Sequence, residues 1–238
     1  MLGMNYVIPY AKHRTNTGSG AGVPLILKSK GLANGEGLYG DCFNLPIKQG
    51  GVWLKEAEME SMLTSTLVEL GKIPKKFIIT RLNLGPKAVP DELFLNIFAR
   101  HSLPSNVKLN GVWARTLIPE SPFVLSVIDL RGQKCELSVT EKVSLLLGNV
   151  SGEVAILSDS PYTTFPKCQY QAKMLNADYD NDGRVAGRLL NFEQLQLSNA
   201  AALLIDESTK PERLQQVLHW CELYQIKVRK IDARHGQQ

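Results

Sequence analysis

The sequence lacks any run of apolar residues long enough to cross a membrane. A spanning helix needs roughly 18 consecutive apolar residues, and no segment of this 238-residue chain approaches that length. Residues 1–22 also lack the apolar centre of a signal peptide, because the basic segment Lys12-His13-Arg14 interrupts them. We therefore expect a cytoplasmic protein without a membrane span.

Cysteine is also scarce, and the four cysteines at positions 42, 135, 168 and 221 form no Cys-x-x-Cys pair. This spacing argues against a zinc knuckle or a dithiol redox motif, and without an export signal we expect free thiols. Cys42 has an alternative interpretation as a nucleophile, with His101 or His219 as its base. Pro46 follows closely and argues against a helix whose N-terminus would lower the thiol pKa.

Charge of one sign is not concentrated in the chain. Lys and Arg number 27 against 23 Asp and Glu, which gives a formal net charge of +4. A dedicated nucleic-acid binder usually has a concentrated basic face, so nucleic acid is not indicated, whereas an anionic ligand is permitted. The content of 44% hydrophobic and 21% charged residues is that of an ordinary globular protein.

Composition divides the chain into three parts. Residues 1–50 contain 9 of the 19 glycines and are expected to form a basic N-terminal arm. The segment Thr15–Pro24 predicts a flexible stretch. A phosphate-binding loop is the alternative, although the Gly-Lys-Ser/Thr of a P-loop is missing. Residues 51–208 are expected to form the packed core, and residues 209–238 a C-terminal helix with a possible edge strand.

The hydrophobic periodicity predicts more strands than helices. Helices are predicted over 55–70, from 90 onward, over 140–147 and over 211–224, from apolar residues that share one helical face. Strands are predicted over 77–82, 107–117, 123–130, 153–157 and 200–205, with a charged edge strand over 226–231. Because these elements do not alternate strictly, the pattern favours an α+β fold with a mainly antiparallel sheet.

An acidic segment, Asp178-Tyr-Asp180-Asn-Asp182-Gly, resembles the start of a calcium loop. The twelfth position of such a loop is Leu189 here rather than a bidentate Glu. The same aspartates also fit a metal-dependent phosphotransfer site. The alternative is a polar turn between two elements, because Asp, Asn and Gly favour turns.

Arg115 lies in a segment that otherwise reads as an apolar strand. Alternation places its side chain on the same face as Trp113 and Leu117. The guanidinium either extends to solvent at a sheet edge or points into a pocket, where it would suit a carboxylate. Asp206 and Glu207 end the predicted buried strand, so one of these acids is a candidate partner on the same sheet face.

Several segments, taken in order, resemble the chorismate lyase family over about residues 53–208. The segments are Ser61–Leu67, Phe77–Arg81, Val89–Glu92, Ala114–Pro119, Leu147–Glu153 and Leu195–Asp206. Fifteen residues separate Arg100 from Arg115, which is also the family spacing. The resemblance implies a six-stranded, mainly antiparallel sheet with helices packed on it and an internal ligand cavity.

The resemblance also implies an activity and a set of site residues. The family eliminates pyruvate from chorismate to give 4-hydroxybenzoate, with no cofactor. Arg100 and Asp206 would hold the ring hydroxyl, and Arg115 would line the cavity and meet the enolpyruvyl carboxylate. Main-chain amides near Leu63 and Ser151 would bind the ring carboxylate. The expected ligand is therefore a chorismate-like or small aromatic carboxylate.

Asp206 stands where the family has Glu, and its side chain is shorter by one methylene group. A non-catalytic small-molecule-binding or interaction protein on the same fold is therefore the alternative to a lyase. A metal-dependent nucleotide or nucleic-acid enzyme that uses Asp178, Asp180 and Asp182 is the third hypothesis. The residues give no indication of the oligomeric state.

Overall fold

The computed structural model describes residues 4–11, 27, 30–31, 36–49, 52–81, 90–130, 154–158, 172–206 and 211–232. The chain divides into two compact units between Ile118 and Pro119. We call residues 2–118 the first unit and residues 119–238 the second unit. This division differs from the one expected from composition, because strands within residues 1–50 belong to the sheet of the first unit.

Among the residues that the structure describes, the first unit contains a six-stranded sheet and the three helices named below. Its strands are β1 (Asn5–Ala11), β2 (Gly37–Tyr39), β3 (Cys42–Gln49), β4 (Val52–Trp53), β5 (Phe77–Ile79) and β6 (Val107–Leu109). Its helices are α1 (Glu56–Lys72), α2 (Asp91–Arg100) and α3 (Gly111–Leu117). The strand order is β2-β3-β1-β5-β6, with β4 also paired to β3. β1 is parallel to both β3 and β5, and β5 is parallel to β6, whereas β2 and β4 run antiparallel to β3.

Helix α1 forms where the spacing of apolar residues predicts it. Met59, Leu63, Leu67 and Leu70 are buried along one face, where they join the core cluster that covers the sheet. The backbone N–H of Lys55 donates to Glu58 Oε2 at 2.9 Å, which satisfies one donor at the helix start. The acidic residues in the first turn and Lys72 in the last turn also interact favourably with the helix dipole and stabilise the helix.

The second unit contains a five-stranded sheet in which every pair is parallel. Its strands are β7 (Phe123–Asp129), β8 (Val154–Ser158), β9 (Ala172–Met174), β10 (Ala201–Asp206) and β11 (Lys227–Asp232). Its helices are the single turn α4 (Tyr179–Asp182), a 3-10 turn (Gly183–Val185), α5 (Ala186–Leu197) and α6 (Pro211–Leu223). The strand order is β11-β10-β7-β8-β9.

The expected antiparallel six-stranded sheet is wrong, although the coarser expectation of a mixed α and β protein is confirmed. The sheet of the first unit is mixed and that of the second is wholly parallel. The apolar run Ala201–Leu204 is typical of a parallel strand, which is covered on both faces and therefore does not alternate. The long connections between strands permit parallel pairing, which needs crossovers of about a dozen residues or more.

The predicted strand over 107–117 is also wrong in its second half. β6 ends at Leu109, and Asn110 begins a helix, because its side-chain Oδ1 accepts a hydrogen bond from Trp113 N at 3.1 Å. Asn is among the preferred N-cap residues. The strands predicted near 77, 123, 153, 200 and 226 and the helices near 55, 90 and 211 are confirmed. The helix predicted over 140–147 lies outside the described residues.

Candidate functional site

The strand order of the second unit contains a topological switch point. In chain order, β7, β8 and β9 lie side by side toward one end of the sheet, and β10 and β11 extend it from the other side of β7. Successive strands are therefore added on one side of β7 up to β9 and on its other side from β10 onward, so the strand order reverses between β7 and β10. We call the carboxyl ends of these two strands the switch-point crevice. Parallel sheets of this kind bind ligands at that position.

Aspartates end three adjacent strands at this edge. Asp129 ends β7 and is only 3% exposed. Its register partner on β10 is Ile205, and the next residue, Asp206, ends β10 opposite Asp232 of β11. Among the residues that the structure describes, no group of three acids, histidines or cysteines is arranged to hold a metal ion.

The middle of helix α5 is buried on all sides and brings polar side chains against the sheet. Every residue from Leu189 to Gln196 is buried, and a buried polar group normally needs a hydrogen-bond partner. Asn191 Nδ2 donates to Gln194 Oε1 at 3.0 Å, and Gln194 Nε2 donates to the carbonyl of Val127 at 3.3 Å. These bonds connect the middle of α5 to β7.

Arg213 extends this network to the first turn of α6. Its Nε and Nη2 both donate to Asn191 Oδ1, at 3.2 and 2.8 Å. We call Arg213, Asn191 and Gln194 the α5 polar network. The network links two helices and the central strand of the sheet.

The beginning of α5 lies at the same edge of the sheet, because the helix runs back toward the amino end of β10. Arg184 and Arg188 are exposed near this helix start. A Cβ at Gly187 would lie 3.2 Å from the Tyr179 hydroxyl and 3.9 Å from Arg213 Nη2. Glycine therefore permits both side chains to approach the first turn. The 3-10 turn leads directly into α5, and the Ala186 N–H donates to the carbonyl of Gly183. The two arginines, rather than free helix amides, are therefore the groups here that suit an anion.

Ser126 and Ser198 fix the other end of α5 on the sheet. Ser126 Oγ and Ser198 Oγ each donate to the carbonyl of Gln194, at 3.1 and 2.8 Å. Both serines are fully buried. The bond from Ser126 therefore attaches the C-terminal end of α5 to β7, and the α5 polar network attaches the middle of the helix.

The residues that the sequence proposed for a lyase site lie in different surroundings. Arg100 ends α2, is about half-exposed, and its Nη2 lies 3.0 Å from Glu60 Oε2 and 3.3 Å from Glu56 Oε1. Arg115 lies on α3 rather than on a strand. Asp206 lies in the second unit, at the end of β10. Arg100 is therefore part of a charged cluster on two helices.

His101 completes that cluster. Its Nε2 lies 2.8 Å from Glu60 Oε1. The hydrogen bond from His101, together with the positive charge of Arg100, lowers the pKa of the Glu60 carboxyl below its usual value. The structure thus pairs His101 with Glu60, which differs from its predicted role as a base for Cys42. Cys42 itself is fully buried, with Sγ 3.9 Å from the carbonyl of Leu27.

The proposed main-chain site for a ring carboxylate is only partly described. Leu63 is 1% exposed and lies in the middle of α1. The amide of a residue in the middle of an α-helix is used by the carbonyl four residues earlier, so the amide of Leu63 does not suit a ligand carboxylate. Ser151 and Glu207 lie outside the described residues.

The acidic segment forms a helical turn. Asp178 caps α4, because its Oδ1 accepts from Asn181 N at 3.1 Å and its Oδ2 accepts from Asn181 Nδ2 at 2.8 Å. Asp180 is exposed, and Asp182 is largely buried. This geometry agrees with the interpretation as a polar turn, in which the first acid satisfies the backbone.

Comparison with known proteins adds no assignment. No model of a known protein family matches the chain, and neither a curated protein nor a solved structure matches it. Within the described part of the chain, none of the helices has both the length and the apolar character that spanning a membrane requires.

Proposed function

We propose that the second unit binds a small phosphorylated, hydroxyl-bearing molecule of the nucleotide type in the switch-point crevice. The strand order β11-β10-β7-β8-β9 carries this proposal. Numbered by chain order within the unit, it is 5-4-1-2-3, which is the order of a nucleotide-binding sheet counted from its other side. The crevice at the reversal is where such sheets place their ligand.

The chemistry at this edge supports a ligand that contains both hydroxyl groups and a phosphate. Asp129 ends the strand that begins the sheet, and its carboxylate would accept hydrogen bonds from sugar hydroxyls. The exposed guanidinium groups of Arg184 and Arg188, at the start of α5, would favour a phosphate. A nucleotide carries both groups at opposite ends of a ribose.

Calorimetric titration with AMP, adenosine and inorganic phosphate tests the proposal. AMP should bind more tightly than adenosine or phosphate. Asp129→Asn keeps the shape of the side chain and removes its charge. This variant should weaken the binding of AMP and of adenosine by roughly 10- to 100-fold, because a hydrogen bond to a charged group contributes about 1.5–3 kcal/mol. Arg188→Ala should weaken the binding of AMP and of phosphate and leave the affinity for adenosine unchanged.

Glu120→Gln is the matched control for the acidic substitution. Glu120 is exposed and lies just before the amino end of β7, at the edge of the sheet opposite the crevice. Its neutralisation should leave AMP binding unchanged. Absence of saturable AMP binding, or equal binding by wild type and Asp129→Asn, would overturn the proposal.

Elimination of pyruvate from chorismate stays a prediction that the sequence resemblance motivates. It is tested by incubating the protein with chorismate and measuring pyruvate and 4-hydroxybenzoate. If the prediction is correct, Arg100→Ala and Arg115→Ala each reduce product formation severely. Saturable binding of 4-hydroxybenzoate without turnover would support the non-catalytic alternative instead.

A further inference from the structure

The first unit contains a topological switch point of its own. Four of its described strands are parallel to one another and lie in the order β3-β1-β5-β6. Numbered by chain order among themselves, these strands have the order 2-1-3-4, so the strand order reverses between β1 and β5. Doubly wound sheets with the order 2-1-3-4-5 bind a ligand at the carboxyl ends of the two strands beside this reversal.

The sheet edge is stepped at this position. β1 pairs with β3 as far as Ala11, but it pairs with β5 only as far as Val7 and Ile79. Thr80 ends this pairing, because its backbone N–H and its Oγ1 both donate to the carbonyl of Val7, each at 3.0 Å. β6 ends beside β5, where the Asn110 N–H donates to the carbonyl of Ile79. Beyond Val7, no described strand therefore pairs with the β5 side of β1.

Arg81 is the second residue after β5 and is only 7% exposed. Its guanidinium pairs with Asp91, which is the first residue of α2 and has a side chain that is 29% exposed. A buried charge is costly without a counter-ion, so Arg81 needs an anion at this position. Asp91 is less dependent on Arg81, because a carboxylate at the start of a helix also interacts favourably with the helix dipole.

A second buried donor lies at the same edge of the sheet. Trp113 is 2% exposed, and among the described residues its Nε1 has no hydrogen-bond partner. Trp113 belongs to the first turn of α3, just beyond the carboxyl end of β6. Its ring stacks on Phe94, with 5.1 Å between the ring centroids, and Phe94 follows Asp91 by three residues on α2. Buried N–H groups normally have an acceptor from protein, water or a ligand, so this indole N–H indicates a missing partner.

We propose that the switch point of the first unit binds a small molecule that carries an oxyanion, either a phosphate or a carboxylate. The oxyanion takes the place of Asp91 on Arg81 and accepts a hydrogen bond from Trp113 Nε1. The planar fork of an arginine suits such a group, because two parallel N–H donors meet two oxygens. The buried charge stays paired throughout, and Asp91 moves into solvent at the start of α2. The site lies wholly in the first unit and does not depend on the nucleotide proposal for the second.

Calorimetric titration of the intact protein with glycerol 3-phosphate, glycerate and glycerol tests the proposal. The three ligands share a three-carbon body and carry a phosphate, a carboxylate or neither group. Glycerol should not bind, and the anion that binds more tightly identifies the oxyanion. Arg81→Gln should abolish this binding. Arg188→Ala removes a phosphate contact proposed for the second unit, and it should leave the binding that depends on Arg81 unchanged.

Two further substitutions distinguish a ligand site from an ion pair that only supports the fold. Asp91→Asn removes the competitor for the guanidinium and should tighten anion binding by roughly tenfold. Trp113→Phe keeps an aromatic ring and removes the N–H, so it should weaken anion binding by roughly tenfold. A purely structural role for these side chains would leave the affinity for the anion unchanged in both variants.

Lys108→Gln and Trp53→Phe are the matched controls. Lys108 is exposed on β6, and its neutralisation changes the charge of the first unit by the same amount as Arg81→Gln. Trp53 lies on β4 of the same unit, and its replacement removes the same indole group as Trp113→Phe. Both control variants should bind the anion like wild type.

Three outcomes would each overturn the proposal. The first is that neither anion binds more tightly than glycerol to the folded wild-type protein at millimolar concentration. The second is unchanged anion affinity in Arg81→Gln or in Trp113→Phe, when the variant is folded by circular dichroism. The third is that folded Asp91→Asn binds the anion no more tightly than wild type.

Discussion

Replacement of Asn191 by alanine should destabilise the second unit by about 2.5–4 kcal/mol. Asn191 is fully buried and accepts two hydrogen bonds from Arg213 while it donates one to Gln194. Loss of the bonds to a charged partner costs about 1.5–3 kcal/mol, and loss of the neutral bond about 1 kcal/mol. Asn191 is fully buried, whereas Arg213 is only partly buried, so water recovers part of the cost on the arginine side and the lower end of the range is expected.

Hydrogen exchange of the backbone amides of α5 measures this effect locally. A loss of 3 kcal/mol should accelerate exchange of the most protected amides by about 100-fold or more, if they open with the unit. Asn96→Ala is the control, because Asn96 is exposed on α2 and a surface change of this kind usually stays within about 0.5 kcal/mol.

Asn191→Asp separates the bonds to Arg213 from the bond to Gln194. The aspartate keeps both acceptor sites for the guanidinium but cannot donate to Gln194 Oε1. Asn191→Asp should therefore destabilise the second unit by about 1 kcal/mol in total, which is less than the cost of the alanine variant. The reasoning is refuted if Asn191→Ala costs under about 1 kcal/mol, or if Asn191→Asp is as damaging as Asn191→Ala.

Three further predictions concern a charged cluster, a thiol and two glycines. The hydrogen bond from His101 lowers the pKa of the Glu60 carboxyl below its ordinary value of 4.5. The ionised Glu60 therefore stabilises the folded protein fully above that ordinary value, and this stabilisation is lost as the pH falls through the lower folded-state pKa. Urea titrations at descending pH should show this loss in wild type but not in Glu60→Gln. Burial raises the pKa of the Cys221 thiol to about 12, so iodoacetamide at neutral pH should label it far more slowly in the folded protein than in urea, as mass spectrometry of its peptide will show. A Cβ at Gly31, where φ is +102°, would lie 1.9 Å from a backbone carbonyl oxygen. Alanine there should unfold the first unit at much lower urea. Alanine at Gly183, where φ is +52°, ψ is −134° and no atom lies within 4 Å, avoids such a clash but should still cost about 1–3 kcal/mol, because non-glycine residues rarely adopt this backbone conformation.

Local patterns predicted the elements better than their arrangement. Helix α1 was predictable because Met59, Leu63, Leu67 and Leu70 repeat at helical spacing and each is buried in the structure. The prediction of a strand from Gly111 onward was wrong because the Val, Trp and Thr residues of this segment favour strands. Its capping residue, Asn110, was the local feature that indicated a helix.

The direction of the strands was not encoded in the alternation of any one segment. Parallel pairing in the second unit depends on connections such as the one from β9 through α5 to β10. The continuous apolar run that begins at Ala201 did indicate a strand covered on both faces. Helix α5 was not predicted, because Asn191, Glu193, Gln194 and Gln196 interrupt its apolar residues and are nevertheless buried.

The candidate site was less predictable than the elements. Arg213 and Asn191 are 22 residues apart and belong to different helices, so their contact exists only in the folded unit. Arg100 and Glu60 are likewise 40 residues apart. A single sequence shows that a charge is present but not which partner folding brings to it, which is why Arg100 was assigned to a ligand.

The division between Ile118 and Pro119 has a consequence for synthesis on the ribosome. Every described strand of the first sheet, through Leu109, is translated before Phe123 begins the second sheet. Domains generally fold as units during translation, N-terminal first. The first unit can therefore be complete while the second is still emerging. A premature stop shortly after residue 118 would release a fragment that already contains every described strand of one sheet.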